Sequence, residues 1–345
     1  MIRVAINGYG RIGRVAHRVI LQKHADTIEV VAINAGASTD LLGWKYLLQY
    51  DSVYGPLMLP LGVEERTNQD VEGLLGNFIV NNHKIPVYSQ KDPTLLPWKD
   101  LEVDVVIEST GHFKTKEDLQ KHITAGSKAV VLSAPSKGDG VGTVVLGVNQ
   151  DTFSGQETLS NASCTTNCIA PVAKIMQDYF GVEKAMMTTI HGYTSDQRLQ
   201  DGGHKDYRRA RAAGLNIIPT STGATQAAAL TVPELEGRFS GLSLRVPVPV
   251  GSLADTTFVL SKPTSKDEIN AIFRREAQNP VWKGILTVTD DPIVSSDIIG
   301  DSHSSIVDLT LTQVVGGTLA KVIAWYDNEY GYANRLIEEV RMIAT

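Results

Sequence analysis

A glycine-rich turn near the start of the chain, Gly8-Tyr9-Gly10-Arg11-Ile12-Gly13, constrains the fold more than any other feature. It follows Ile2 to Ile6, an apolar run of the kind that forms a strand buried on both faces. It opens a stretch, Arg11 to Lys23, whose apolar residues Ile12, Val15, Val19 and Ile20 recur at helical spacing. A second buried-strand run, Glu29 to Asn34, follows. A G-x-G-x-x-G alone is a weak signal. Between a strand and a helix, inside a βαβ unit, it marks a dinucleotide-binding turn. The first glycine permits the tight turn, the second lets the backbone approach a pyrophosphate, and the third lets the helix pack on the strand. The helix N-terminus then faces the phosphates. The competing reading is a glycine turn that holds no ligand.

The alternation continues through the first 150 residues. Leu41 to Leu48 and Lys116 to Ala125 have helical spacing, and Val103–Glu108, Ala129–Ala134 and Thr143–Val148 read as strands. This predicts a doubly wound parallel sheet of the Rossmann type, covered on both faces. Between 52 and 90 the pattern breaks. Phe78–Val80 and Ile85–Tyr88 flank Asn82-His83, a hairpin signal, and Gly62 to Gly76 reads as a polar surface loop. Past 150, Cys164 to Phe180 reads as a helix in spite of Pro171, and Ala185–Ile190 as a strand. Leu242–Val250, Thr256–Leu260, Ile306–Leu311 and Leu319–Tyr326 are strand-like, with helices at Lys266–Ala277 and Tyr332–Ile343. The expected second domain is α+β with a mixed, largely antiparallel sheet. Ser195 to Pro219 is a long, basic, aperiodic loop, the kind that is functional or an interface.

Composition narrows the function. The net charge of −6 lacks the electrostatic footprint of a nucleic-acid binder. No apolar run reaches the roughly 18 residues that span a bilayer. Two cysteines, Cys164 and Cys168, are too few for a disulfide framework and lack partners for a structural zinc, so no metal is expected. Strand-like sequence from residue 2 leaves no stretch that reads as a targeting peptide. The expectation is a soluble protein of the reducing cytoplasm, with no membrane or nucleic-acid partner.

The chemistry-bearing residues lie at element ends. Cys164 stands at the start of a predicted helix, where the positive dipole end stabilises a thiolate, with the hydroxyls of Ser163 and Thr165 beside it. The plainer reading is two buried cysteines acting as small hydrophobes. His191, in Ile190-His191-Gly192-Tyr193-Thr194, follows a strand and is a candidate base, so that cysteine and histidine form a nucleophile–base arrangement. Arg245 lies inside an apolar strand and needs an anionic partner, a phosphate or a carboxylate. Arg209 is the second cationic candidate, while Arg208 and Arg211 read as solvated or subunit-facing. After the second strand, Asn34-Ala35 lacks the carboxylate that would bind an adenosine ribose and repel a 2′-phosphate. Asp40 is the only acid nearby.

These motifs together resemble the phosphorylating glyceraldehyde-3-phosphate dehydrogenase family. INGYGRIGR, ESTG, SAPSKG, SNASCTTNC, IHGYTSDQR, KDYRRARAA, STGATQA, LRVPVPV and WYDNEYGYANR occur in the family's order over essentially the whole chain. The resemblance implies reversible oxidation of glyceraldehyde 3-phosphate to 1,3-bisphosphoglycerate, with inorganic phosphate as second substrate. Cys164 would be the nucleophile and His191 the base. Thr194 and Arg245 would hold the substrate phosphate. Ser163, Thr165, Arg209, Thr222 and Gly223 would hold the attacking phosphate. Gly8, Gly10, Arg11, Ile12, Gly13, Asn34, Thr110 and Ser133 would line the cofactor groove, with Phe113 a wall of the adenine pocket, and Asn328 and Tyr332 would orient the nicotinamide. The dinucleotide-binding domain would be 1–163, completed by the C-terminal helix at 329–345, and 164–328 the catalytic and tetramerisation domain. The family is a homotetramer in which the 195–219 loop reaches a neighbour's cofactor. An erythrose-4-phosphate dehydrogenase on the same scaffold, or a semialdehyde dehydrogenase, are the alternatives.

The sequence departs from the NAD-specific members at two places. They carry Asp at the position of Ala35 and Leu-Pro at Gly202-Gly203. Both elements block a 2′-phosphate, so the expected cofactor is NADP, or NADP and NAD together, as in the NADP-using bacterial branch that works toward sugar synthesis. Lys91, Ser38 and Thr39 are candidate 2′-phosphate ligands. The 57–77 stretch is expected to be a surface elaboration.

Overall fold

The computed structural model describes residues 1–66 and 72–345. The chain divides into two compact units: Met1–Thr143 with Phe153–Asn161 and Ala333–Thr345, and Val144–Thr152 with Ala162–Tyr332.

The first unit is built from β1 (Ile2–Asn7), α1 (Arg11–Val19), β2 (Ile28–Asn34), α2 (Leu41–Gln49), β3 (Leu61–Glu65), β4 (Leu74–Val80), β5 (His83–Tyr88), β6 (Val105–Glu108), α3 (Lys116–Thr124), β7 (Ala129–Leu132), β8 (Gly142–Thr143) and β9 (Thr158–Ser160). Its sheet runs β3-β4-β5-β2-β1-β6-β7-β9-β8. From β5 through β2 to β8 every pairing is parallel, and β3-β4-β5 form an antiparallel edge. The central strands are apolar through their middles because both faces are covered. Val4, Ala5, Ile6, Val105, Val106, Ile107, Val130, Val131 and Leu132 are all fully buried. Thr115 and Asp118 form a reciprocal capping box at the start of α3.

Four sequence expectations are corrected here. Thr143–Val148 is not a strand; pairing stops at Thr143, and Val144 and Val145 are buried in an irregular stretch that leads into a turn. Periodicity cannot separate such a short apolar run from a strand. The hairpin turns on Asn81-Asn82 rather than Asn82-His83, with φ of +48° and +65°. Two successive left-handed residues suit the twist of the flanking strands. Gly62–Gly76 contributes an edge strand, β3, within what reads as a loop. Its Glu64 accepts from Asn77 and Lys84 across the pairing. This edge strand, partly exposed from Leu61 to Val63 and exposed at Glu64 and Glu65, shows no alternation to read. Residues 67–71 of the 57–77 stretch lie outside the described residues. Ala129–Ala134 pairs only to Leu132.

The second unit contains α4 (Cys164–Phe180), β10 (Val182–Gly192), β11 (Ile218–Ser221), α5 (Ala224–Thr231), β12 (Phe239–Val246), β13 (Ser252–Leu260), α6 (Lys266–Glu276), β14 (Leu286–Thr289), β15 (Ser305–Asp308), β16 (Gln313–Val315), β17 (Leu319–Tyr326) and the first turn of α7 (Tyr330–Ile343). The sheet order is β11-β12-β10-β13-β17-β15-β14, with β16 on β17. It is mixed: β10–β12 and β14–β15 are parallel and the other pairs antiparallel. The strand expected at Leu242–Val250 ends at Val246, where Pro247 and Pro249 cannot donate to a ladder. Ile306–Leu311 is strand only to Asp308, whose side chain caps the turn that follows. α4 continues through Pro171, at a cost of about 3 kcal/mol for the lost backbone hydrogen bond. Burial of Ile169, Val172, Ile175 and Met176 in the sheet-facing core offsets this, at about 1.5–3 kcal/mol for each large side chain.

Candidate active site

Cys164 is the first residue of α4, and Ser163 caps the helix by accepting the Thr166 N–H at 3.0 Å. Ala162, just before the cap, is fully buried with φ of +51°. A left-handed alanine costs about 1–2 kcal/mol. It is held there in part by the Tyr332 hydroxyl, which donates to its carbonyl at 3.2 Å. The turn so made presents Cys164 at the positive end of a helix, as expected. His191, near the end of β10, places Nε2 3.4 Å from Cys164 Sγ. Arg245 is its register partner on the parallel strand β12. The guanidinium Nη1 lies 2.6 Å from His191 Nδ1 and 3.0 Å from the Gly192 carbonyl, and that carbonyl lies 2.7 Å from the same Nδ1.

Burial weighs against charge on both members of the pair. Burial, assisted by the Arg245 charge, pushes the His191 imidazole down to about 3. Burial pushes the Cys164 thiol up, against Arg245 and the Thr165 hydroxyl and N–H, which favour the anion. The helix dipole does not by itself produce a thiolate, because desolvation outweighs it.

The remaining candidates are placed unevenly. Thr165 is buried, and its hydroxyl meets the Tyr326 hydroxyl at 2.8 Å, turned inward as well as toward the thiol. Ser163 Oγ is occupied by the cap. Arg209 is engaged by Asp196, by Thr220 at 2.7 and 2.9 Å, and by Asp206 at 3.3 Å. Thr194 is partly exposed, its N–H on Gln197. Thr222 and Gly223 precede α5, with open space where a Gly223 Cβ would stand. Asn328 is buried. Its Oδ1 accepts from Gly251 N–H at 3.1 Å and from Ser252 Oγ at 2.9 Å, so its amide nitrogen is left to donate. Ser252 Oγ in turn accepts the Gly192 N–H at 3.2 Å. Sequence reading missed Ser252, and also Tyr326, whose ring meets His191 edge-on at 6.0 Å while its hydroxyl bridges Thr165 and Thr189. Neither stands out in spacing or composition.

The glycine turn of the first unit borders a cleft of about 360 Å³, lined among others by Gly8, Gly10, Ala35, Lys91, Thr110 and Phe113. Gly8 has φ of +94°, and a Cβ there would stand 2.4 Å from Thr110 N. A Cβ on Gly13 would stand 2.1 Å from the Gly8 carbonyl oxygen, whereas one on Gly10 would meet nothing within 4 Å. The three positions thus match a turn, a helix contact and an open approach, and the cradle fits a dinucleotide phosphate. Beneath it, Asn34 donates to Asn7 at 2.7 Å and Asn7 to Glu108 at 2.5 Å. Glu108 accepts from Thr110 N–H at 2.8 Å and from His122 at 3.2 Å, and Trp98 donates to the far side of His122. This buried network, also unread from sequence, ties β1, β2 and β6 together under the cleft. Arg11 is ion-paired with Asp51 at 2.5 Å. Ile12 lies in the first turn of α1, and Ser133 follows β7, its N–H on the Glu108 carbonyl. Asp40 caps α2 by accepting Gly43 N–H at 2.7 Å, and Thr39 lies against that same turn, so neither lines the cleft. Ser38 is exposed and also outside its lining.

Comparison with known proteins gives two family matches. Residues 2–116 match the glyceraldehyde 3-phosphate dehydrogenase NAD binding domain, and residues 163–328 match the C-terminal domain of the same family. A Mycobacterium tuberculosis protein named glyceraldehyde-3-phosphate dehydrogenase is 49% identical over 345 residues, covering 99% of this chain and 98% of its own. One from Streptomyces avermitilis, glyceraldehyde-3-phosphate dehydrogenase 2, is 48% identical over 339 residues, covering 98% and 97%. One from Mycobacterium leprae is 49% identical over 348 residues, covering 99% and 98%.

Proposed function

Because this chain belongs to the glyceraldehyde 3-phosphate dehydrogenase family, NAD(P)-dependent oxidoreductases acting on an aldehyde group, we propose that it catalyses the reversible phosphorylating oxidation of glyceraldehyde 3-phosphate to 1,3-bisphosphoglycerate. The observation that carries this reading is the Cys164–His191–Arg245 constellation, a thiol 3.4 Å from an imidazole that a guanidinium touches. Cys164 Sγ attacks the aldehyde carbon and His191 Nε2 takes the thiol proton. The resulting oxyanion is met by the Cys164 N–H at the helix start and by the imidazolium. The nicotinamide, when bound, supplies the hydride acceptor. Sulfur retains the oxidised acyl group as a thioester, which inorganic phosphate attacks, releasing the acyl phosphate and the thiolate. Arg245 and Thr194 hold the substrate phosphate. Arg209, Ser163, Thr165, Thr222 and Gly223 hold the attacking phosphate, for which Arg209 must exchange Asp196. Asn328, its Oδ1 fixed by Ser252 and Gly251, and Tyr332 would orient the nicotinamide when it is bound.

We further propose that NADP is preferred or shared with NAD. Ala35, buried at the cleft, offers no carboxylate to repel a 2′-phosphate, Asp40 is committed to a helix cap, and Lys91 lines the same cleft. Homotetramer assembly is proposed alongside it, on the exposed Leu199, Tyr207, Leu215 and Ile217, each at least 67% exposed within the basic loop. None of the helices among the described residues is long and apolar enough to cross a membrane. Two unpaired thiols suit the cytoplasm, which we propose as its compartment. The test is the initial rate of glyceraldehyde 3-phosphate oxidation with NADP and with NAD, each with and without inorganic phosphate. Phosphate-dependent activity, more efficient with NADP, is expected. NAD preference would overturn the cofactor reading, and no activity with either would overturn the reaction.

A further inference from the structure

The first helix does not end as an α-helix. Ile20–His24 continue α1 as a π turn, a wider coil that recurs at functional sites. This turn, the start of β2 and the β4–β5 hairpin surround a cavity of about 190 Å³. Its deep wall is apolar: Ile20, Ile28, Val30, Val80 and Ile85 are each at most 6% exposed. His17, in the last turn of α1, borders the same cavity and is fully buried. Among the described residues that line the cavity, it is the only buried polar side chain.

The two ring nitrogens of His17 are placed differently. Nδ1 lies 2.6 Å from the Tyr9 hydroxyl. Tyr9 stands outside the wall of this cavity, held by the rings of Trp44 and Phe78 at 6.0 Å each. Nε2, on the ring edge turned away from Tyr9, is buried and has no hydrogen-bond partner among the described residues. A buried nitrogen left unpaired is costly, so one kept on an otherwise apolar wall points to a partner from outside the chain. Water is a poor one: it needs about two to four polar partners, and the buried side chains here offer a single one.

We propose that this cavity binds a neutral molecule about the size of one aromatic ring, its carbons against Ile20, Ile28 and Val80 and a hydroxyl on His17 Nε2. The volume suits such a ligand, since an apolar cavity of about 150 Å³ holds benzene. Burial pushes the His17 imidazole down to about 3, so no imidazolium is present to draw a carboxylate, and the partner is neutral. The Tyr9 hydroxyl both donates and accepts, so either tautomer of His17 keeps that bond, and a ligand hydroxyl meets Nε2 as donor or as acceptor. The site shares no lining residue with the dinucleotide cleft, and it stands or falls apart from the proposed reaction.

The test is nitrogen NMR of the full-length protein labelled at its 8 histidines, titrated with phenol and with toluene. The His17 signals are assigned by their loss in His17→Gln. Phenol is expected to shift the His17 Nε2 signal saturably, and to bind about 2- to 13-fold more tightly than toluene, the net worth of one hydrogen bond. In a wholly apolar cavity the order reverses, because phenol must leave its hydroxyl unpaired. Leu21→Trp, at a partly buried position of the wall, fills the cavity and should abolish the shift. No saturable shift with phenol, toluene binding as tightly or more tightly, or an undiminished shift in Leu21→Trp would overturn the proposal. The two ligands are compared on the unaltered protein, so that comparison decides the matter even where Leu21→Trp does not fold.

Discussion

The glycine turn makes separable predictions for neighbouring glycines. In Gly13→Ala the new methyl stands 2.1 Å from the Gly8 carbonyl oxygen before any ligand arrives, with Ser109 Oγ also at 3.0 Å. The first obstacle is backbone, which does not rotate away. Overpacking of this kind costs about 1–3 kcal/mol, taken from the folded state. In Gly10→Ala the methyl meets nothing within 4 Å, and φ of −70° with ψ of −158° is open to alanine. The fold is therefore expected to be unharmed, or stabilised by about 0.4–1 kcal/mol through the unfolded chain. The open space is where a pyrophosphate would approach. The same 1–3 kcal/mol of steric cost then falls on binding, about 5- to 150-fold in dissociation constant. The assay is paired: urea unfolding followed by tryptophan fluorescence, and titration with reduced cofactor. Gly13→Ala should lose both stability and affinity, Gly10→Ala affinity alone. A Gly10→Ala protein that binds dinucleotide as tightly as the parent would refute the assignment of that space to the phosphates.

Other perturbations test other parts of the structure. Ala35→Asp should weaken NADP(H) binding more than NAD(H) binding in the same titration, and equal effects would sink the cofactor reading. Asp40→Ala removes a helix cap and should cost about 1 kcal/mol in unfolding while leaving the affinity for either cofactor unchanged; a changed affinity would mean that Asp40 reaches the ligand. His17 and His191 are both held neutral by burial, each with its pKa lowered to about 3. The unfolded chain therefore binds more protons than the folded one between about pH 6.5 and pH 3. Stability should fall as pH falls through that window, by about 2 kcal/mol per histidine at pH 5. Unfolding midpoints at pH 7 and pH 5, for the parent and for His17→Gln, measure this, and an undiminished pH dependence in the variant would count against it. Ser252→Ala leaves the buried Gly192 N–H and Asn328 Oδ1 short of a partner, a loss of about 1–3 kcal/mol. It should raise KM for the cofactor if Asn328 holds the nicotinamide.

Much of this site was legible because it sits where elements end. Strand, glycine turn and helix are written in local spacing, and spacing places Gly8, Gly10 and Gly13 against one another. The same holds for Cys164 at the head of α4 and His191 at the tail of β10. What local spacing cannot carry is the partner of each side chain. The sequence offers Arg209 in a basic loop and Arg245 in an apolar strand as cationic candidates, but not what either one meets. Yet Arg209 is engaged by Asp196, Asp206 and Thr220 in its own loop, while Arg245 meets a histidine 54 residues away across a parallel strand pair. Asp40, singled out as the acid nearest the missing carboxylate, is spent on its own helix. Val144 and Val145 read as strand because burial in an irregular stretch and burial in a sheet ask for the same residues.

The charge on the nucleophile is decided by those long-range partners. The helix start favours a thiolate at Cys164, a contribution of at most about 2 kcal/mol, and that much was readable. Burial opposes it and prevails, and burial belongs to the packing of the whole unit. Arg245 then acts in both directions at once: its charge favours the Cys164 thiolate and disfavours the His191 imidazolium. A cation that stays in place therefore helps the nucleophile and hinders its base.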